Sequence, residues 1–166
     1  MKKLFGLLAA CLLAVSAQAS DLGIGVNVGY ATKSGLSTGF IGAKALIGLP
    51  LNLALAPSMN YWFPKTESLY KLKFWDANVD MHFNLLNLGL LKVYPLIGLN
   101  YTYVKMLDDQ GYEIGPDLKG GQVGANLGAG AQVRFLPTIG ASIEAKGLLS
   151  DGFTQFIPTA TLYFLF

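Results

Sequence analysis

The chain has few of the residues from which catalytic and metal sites are usually built. It contains one cysteine and one histidine among 166 residues, and only 13% of its residues are charged. A single cysteine excludes an internal disulfide, and a zinc site would need several histidine or cysteine ligands. The net charge of +2 gives no reason to expect a nucleic-acid partner.

Long apolar runs are also missing after the first fifteen residues, although the chain as a whole is apolar, with a mean hydropathy of +0.45. No later stretch approaches the ~20 apolar residues that a transmembrane helix needs. The 20 glycines argue against a helical bundle, because each glycine inside a helix costs about 1 kcal/mol. Two explanations remain, a very buried soluble core and a membrane barrel.

The N-terminal residues 1–19 have the pattern of a secretory signal peptide. Two lysines precede an apolar core that ends at Val15, and Ala17-Gln18-Ala19 is an A-x-A cleavage site. We expect cleavage after Ala19, so that residues 20–166 form one domain exported through the periplasm. The alternative is a lipoprotein, because Leu8-Ala9-Ala10-Cys11 matches a lipoprotein box that would make Cys11 an acylated N-terminus.

After the signal, apolar residues alternate with small or polar ones, as in strands that have one apolar face. Leu22, Ile24, Val26, Val28 and Tyr30, for example, are separated by three glycines and an asparagine. Eight such segments follow one another, each of roughly the ten residues that a tilted membrane strand requires. The sequence therefore predicts an all-β fold, an eight-stranded antiparallel up-and-down transmembrane β-barrel.

Two features interrupt this regular pattern. The apolar positions change parity between Phe74 and Trp75, which predicts a β-bulge that keeps both apolar sets on one face. Pro57, Pro95 and Pro158 fall within strands, where proline removes a hydrogen-bond donor. We therefore expect bulges or weakened pairing at the three prolines.

The connections fall into two groups at opposite ends of the predicted barrel. Three are short turns, and the other group of four includes the two longest connections. The turns lie near Pro50, Asn87 and Pro137, and the other connections near Ser34, Lys65, Gly111 and Asp151. Short periplasmic turns and longer outer loops are typical of outer-membrane barrels.

The size of the side chains indicates which face points inward. The polar face consists largely of small residues, which fit the narrow lumen of eight strands, so the large apolar residues would face lipid. Aromatic residues are expected in two belts near the strand ends. They are Tyr61, Trp62, Phe63, Tyr70, Phe74, Trp75, Tyr101 and Tyr103 at one end, and Phe83, Phe135, Phe164 and Phe166 at the other. A soluble lipocalin-like barrel, with its faces reversed, is the alternative.

The predicted inward face carries a set of charged residues and the histidine. They are Lys44, Asp76, Asp80, His82, Lys92, Arg134, Glu144 and Lys146. A lone charge in a narrow lumen is costly, so opposite charges should pair and plug the lumen as a structural polar network. A narrow path for ions or a gate is the alternative use of the same charges.

The chain ends on an apolar strand in which Ala160, Leu162, Phe164 and Phe166 share one face. This terminus resembles the last strand of the small eight-stranded outer-membrane barrels of Gram-negative bacteria, the family of OmpX and of the transmembrane domain of OmpA. The resemblance implies that Leu162, Phe164 and Phe166 form a C-terminal assembly signal. Its readers would be the barrel assembly machinery, with periplasmic chaperones as further partners.

The same resemblance implies a place and a role for the chain. It implies a monomer in the bacterial outer membrane, in contact with outer-membrane lipids and lipopolysaccharide, and no cofactor. The expected role is structural or in surface interactions, and the alternative is a small porin-like pore or carrier for ions or apolar solutes. Lipid-modifying barrel enzymes have a similar architecture, but His82 lacks the His-x-Ser pattern of those families. We therefore expect a structural histidine and no enzyme.

Overall fold

The computed structural model describes residues 22–32, 38–67, 70–108, 120–150 and 153–166. Strands make up nearly all of these segments, as the alternating pattern predicts. In the described ranges, no helix is long and apolar enough to cross a membrane. The predicted signal peptide with Cys11, and most of the longest loop, lie outside the described residues.

The described residues form ten strands, eight long and two short. They are β1 (Leu22–Ala31), β2 (Thr38–Leu49), β3 (Leu53–Trp62), β4 (Lys65–Glu67), β5 (Tyr70–Phe83), β6 (Leu86–Asn87), β7 (Leu91–Asp108), β8 (Gly120–Leu136), β9 (Ile139–Ser150) and β10 (Phe153–Leu165). The two short strands, β4 and β6, pair with β5 and β7 respectively.

The eight long strands close into a barrel. Each pairs in antiparallel fashion with the next long strand along the chain, and β10 completes the ring by pairing with β1. The closing ladder runs from Gly23 opposite Leu165 to Gly29 opposite Thr159. Closure satisfies the backbone hydrogen-bonding groups of β1 and β10, the first and last strands, and leaves no free sheet edge. This confirms the predicted eight-stranded antiparallel up-and-down barrel.

The turns lie at one end of the barrel, which we call the turn end, and the other connections lie at the loop end. The turns comprise residues 50–52, 84–90 and 137–138. In the first, Leu51 and Asn52 have positive φ angles of 64° and 60°, as a type I′ hairpin turn requires. The turns predicted near Pro50, Asn87 and Pro137 are confirmed.

The outer face of the barrel wall is apolar. Val26, Leu99, Ile143 and Leu162 are exposed by 56%, 67%, 68% and 59% respectively, whereas the side chains between them along each strand point inward. This polarity suits a wall surrounded by hydrocarbon and is the reverse of that of a soluble barrel. The lipocalin-like alternative is therefore wrong.

The bulge predicted between Phe74 and Trp75 is wrong as well. β5 pairs with β7 in one continuous register from Tyr70 to His82, so Phe74 points inward and Trp75 outward. Phe74 is accommodated inside because Trp62 offers it an apolar partner, with ring centroids 5.3 Å apart. Among the described ladders, β8 and β9 show an irregularity between Arg134 and Leu136.

Two of the predicted belt residues are consequently part of the interior. Trp62 is 3% exposed and Phe74 packs against it. Trp75 does lie outside, where it packs on Tyr101 and Tyr103 with centroid distances of 6.0 and 5.8 Å. Other aromatics remain exposed as predicted, at the loop end Tyr61, Phe63 and Tyr101 and at the turn end Phe83, Phe135, Phe164 and Phe166.

The three strand prolines coincide with breaks in the pairing. The ladder between β2 and β3 has a gap at Pro57, and the ladder between β1 and β10 is interrupted beside Pro158. The pairing of β7 with β5 ends at Leu96, the residue after Pro95. Proline has no N–H to donate, so the weakened pairing predicted from the sequence is confirmed.

Candidate functional site in the barrel lumen

Side chains fill the lumen in three layers along the barrel axis. An apolar layer, which we call the loop-end plug, lies towards the loops and contains Ala31, Phe40, Trp62, Leu148 and Ile157, with Phe74 packed against it. A second layer, the turn-end plug, contains Leu46, Ala54, Ala56, Tyr163 and Leu165. Buried polar and charged side chains form a third layer, which we call the polar layer. It borders both plugs, because Trp62 donates to Asp76 and Ala54 and Ala56 pair with His82 and Asp80.

Glu144 on β9 is the centre of the first polar cluster. Its Oε1 atom forms an ion pair with Lys44 Nζ on β2 and accepts a hydrogen bond of 3.0 Å from the Tyr94 hydroxyl on β7. His82 Nε2 lies 3.7 Å from the same oxygen. The His82 ring also stacks on Tyr94, with centroids 4.2 Å apart and planes 9° from parallel.

Asp80 on β5 is the centre of the second cluster. Lys146 Nζ on β9 donates to its Oδ2 atom at 3.1 Å, and Asn126 Nδ2 on β8 donates to Oδ1 at 2.7 Å. The Asn126 amide also reaches Asn78 Oδ1 at 2.9 Å. Burying an unpaired carboxylate would be costly, and these donors replace the water that Asp80 loses.

Asp76, two residues before Asn78, is the centre of the third cluster, and its donors are neutral. The side-chain amides of Asn60 and Asn78 and the indole N–H of Trp62 all donate to its carboxylate. Asn27 Nδ2 on β1 in turn donates to Asn60 Oδ1 at 2.6 Å. The second and third clusters therefore form one network that braces β1, β3, β5, β8 and β9 from within.

Two residues of the predicted network have a different position. Lys92 and Arg134 lie half-buried nearer the turn end. Lys92 lines a small cavity of about 240 Å³ there, together with Asn84, Asn87 and Gln132 among others. The other six predicted residues all lie in the buried polar layer. They are Lys44, Asp76, Asp80, His82, Glu144 and Lys146.

The network also contains residues that the sequence reasoning missed. Tyr94 and Trp62 each donate to a buried carboxylate, and the asparagine amides link the carboxylates to one another. Five inward asparagines take part, namely Asn27, Asn60, Asn78, Asn100 and Asn126. Asparagine is uncommon in strands, so its recurrence on the inward face was an available signal.

This arrangement keeps the charges of Lys44, Asp76, Asp80, Glu144 and Lys146 inside the barrel. Among the described residues, no group of three histidine, cysteine, aspartate or glutamate side chains could hold a metal ion. Lys44 and Lys146 neutralise two of the three buried carboxylates at close range. The geometry supports a structural role, in which hydrogen bonds and ion pairs connect the strands across the lumen.

Comparison with solved structures shows the same architecture. Ail, the attachment invasion locus protein of Yersinia pestis, superposes with a TM-score of 0.61 at 15% identity over 88% of this chain and 97% of its own. Neisserial surface protein A gives 0.60 at 11% identity, over 87% and 93%. The N-terminal barrel domain of Pseudomonas aeruginosa OprF gives 0.55 at 16% identity, over 87% and 97%.

These likenesses concern the fold, because all three identities are below one fifth. No family model and no curated protein sequence matches the chain. The closed ring of eight antiparallel strands agrees with the solved structures in architecture. The chain therefore has the fold of the small eight-stranded outer-membrane β-barrels.

Proposed function

We propose that this chain is a non-conducting and non-enzymatic integral protein of the bacterial outer membrane, with a structural or surface-interaction role. The observation that carries this proposal is the burial of the charged residues inside the barrel, from which we infer that the lumen is sealed. The polar layer borders an apolar plug on each side, and its charged residues are at most 4% exposed.

The burial of these charges argues against the alternative of a small pore or carrier. A path for ions needs water beside the charges that guide them. Lys44, Asp80 and Glu144 are exposed by 2%, 0% and 4%, so water does not reach them from either end. Eight strands in general enclose little more than their own side chains.

The position of His82 argues against a lipid-modifying enzyme. Its ring is 1% exposed, covered on one face by Tyr94, and lies within the barrel wall. A lipid substrate approaches from outside the wall, whereas a general base must come within hydrogen-bond reach of the group it deprotonates. We propose that His82 is structural and packs between Tyr94 and Glu144.

The C-terminal strand supports the proposed partners. Leu162, Phe164 and Phe166 are all exposed on the outer face, where the barrel assembly machinery could bind them before closure and lipid would surround them afterwards. Ail is named for attachment and invasion and Neisserial surface protein A for its place at the surface. We propose a similar surface role for a monomer in contact with lipopolysaccharide.

Conductance in planar bilayers tests the sealed lumen. The wild-type protein should give no steady openings. Phe40→Ala/Trp62→Ala, which removes the two buried rings of the loop-end plug and the Trp62 donor to Asp76, should leak more than the wild type. Trp75→Ala is the matched control, because Trp75 packs on the outside of the wall. Steady openings of the wild-type protein would contradict the proposal and favour the small pore.

Two further measurements test the location and the absence of catalysis. The protein should fractionate with outer membranes and migrate differently on a gel before and after boiling. Recovery in the soluble periplasmic fraction would contradict the proposed location. In cells that express the protein, His82→Ala should leave the lipid A profile unchanged, and an altered profile would show that the histidine is catalytic.

A further inference from the structure

The connection between β5 and β7 is far more apolar than a turn needs to be. Residues 84–91, which we call the leucine hairpin, read Asn-Leu-Leu-Asn-Leu-Gly-Leu-Leu. Leu85, Leu86, Leu88 and Leu90 are exposed by 79%, 42%, 67% and 67%. Turns in water usually carry glycine, proline and short polar residues, and clustered exposed leucines indicate a surface that is covered in use.

Backbone hydrogen bonds fix the leucine hairpin in place. The amide of Leu85 donates to Val93 at 3.1 Å, and the amide of Leu88 donates to Leu91 at 2.9 Å. Gly89, at the tip, has a φ of 78°, a conformation that favours glycine. The leucines therefore project from an ordered element.

The neighbouring elements also hold the leucine hairpin. The amide of Asn84 donates to the carbonyl of Asn52 in the first turn at 2.8 Å, and the amide of Arg134 on β8 donates to the carbonyl of Leu90 at 2.8 Å. The hairpin is therefore tied to the barrel on both sides, and its direction relative to the wall is set.

The leucine hairpin has two different sides. Asn84, Asn87 and Lys92 line the cavity at the turn end, inside the barrel mouth. Leu86 pairs with Val93, which is on the outer face of the wall and 39% exposed. The apolar side of the hairpin is thus continuous with the surface that faces hydrocarbon.

A second turn also carries an exposed leucine. Leu51, in the turn between β2 and β3, is 90% exposed and has a φ of 64°. A bulky residue in the left-handed region is sterically unfavourable, and glycine or asparagine would fit there without that cost. Burial of the leucine side chain in an apolar medium would offset the cost, whereas exposure to water would not.

The charges around these turns match a phospholipid surface. Residues 49–53, 83–92 and 134–139 contain Lys92 and Arg134 and no acidic residue. A rim without carboxylates does not repel anionic lipid headgroups. An apolar rim of this kind suits the boundary between acyl chains and headgroups.

We propose that the leucine hairpin and Leu51 are embedded in the lipid leaflet at the turn end, where they bind phospholipid and fix the depth of the barrel in the membrane. The two turns that carry these leucines are then membrane anchors and do not project into water. The occupant of this surface is phospholipid, rather than a second copy of the chain or a protein partner.

Spin labels measure this depth directly. In a full-length chain that carries Cys11→Ser, Leu88→Cys provides one labelling site at the hairpin, and Thr138→Cys provides a matched site on the polar residue of the neighbouring turn. Each labelled protein is reconstituted in vesicles of phosphatidylethanolamine and phosphatidylglycerol. Collisions with oxygen, which concentrates in lipid, are compared with collisions with a water-soluble nickel complex.

The label at position 88 should collide more often with oxygen than with nickel, and the label at position 138 should show the opposite ratio. Equal nickel accessibility at both sites would overturn the proposal, because the hairpin would then lie in water. Spin–spin broadening at position 88 would also overturn it, because a second copy would then cover the leucines.

Discussion

Lys146 on β9 donates from Nζ to Oδ2 of Asp80 on β5, at 3.1 Å and across 66 positions of sequence. The two strands are not neighbours in the ring, so this ion pair crosses the lumen. Asn126 occupies the other carboxylate oxygen of Asp80 at 2.7 Å. A bond of this kind constrains the cross-section of the barrel in a way that strand pairing alone does not.

Removal of one member of this pair should be much more harmful than removal of both. Lys146→Met leaves Asp80 buried without its cation, and such a change costs about 3–5 kcal/mol. Lys146→Met/Asp80→Leu should recover most of that loss, because no uncompensated charge remains. Urea unfolding of the protein in vesicles measures both, with Lys73→Met at an exposed position as control. Equal destabilisation by the single and double changes would show that the pair itself stabilises the barrel.

Gly98 should be intolerant of a side chain. A Cβ at this position would lie 2.6 Å from the carbonyl oxygen of Val79 and against the carboxylate of Asp80. Gly98→Ala should therefore destabilise the barrel by about 1–3 kcal/mol, as overpacking does. Gly147→Ala is the control, because the nearest atom there, the Leu127 oxygen, is 3.6 Å away. Urea midpoints of the two variants test this prediction, and equal midpoints would contradict it.

Pro57 should act as a local break in the wall. Pro57→Ala supplies the missing N–H, and the gap between β2 and β3 should then close. Amide hydrogen exchange at Ala45 and Leu46 should become slower in this variant than in the wild type. Pro137→Ala, in a turn, should leave those two amides unchanged. If exchange at Ala45 does not slow, a cause other than the missing donor keeps the strands apart.

Phe166 and Tyr163 should have separable effects on assembly and stability. Phe166 is 69% exposed, so Phe166→Ala should lower the yield in outer membranes while the refolded protein keeps its stability. Tyr163 is 2% exposed within the turn-end plug, and Tyr163→Ala should destabilise the refolded barrel, by about 3–5 kcal/mol on the scale of large core truncations. Membrane yield in cells and urea unfolding after refolding measure the two effects. A large loss of stability in Phe166→Ala would argue against a signal role.

Much of the fold could be predicted because the side-chain period of a strand is two. Val26 and Asn27 must point to opposite faces whatever the neighbouring strands are, so the alternation shows the number of long strands and that each has one apolar face. The prolines were informative for a similarly local reason, since the lost donor belongs to the residue itself. The same logic failed at Phe74 and Trp75, where the parity of apolar residues suggested a bulge that the ladder does not contain.

The sequence by itself determined the number of long strands, the short turns and which residues share a face, because these follow from local alternation and composition. It left open which face points outward, and the exposure of residues such as Val26 and Leu99 decided that. Only the tertiary structure decided which residues meet across the lumen. Lys146 donates to Asp80, and Trp62 packs in the loop-end plug. Register and closure bring these side chains together although they are far apart in the chain. The outward leucines of residues 84–91 likewise became a surface only once β6 folded back on β7.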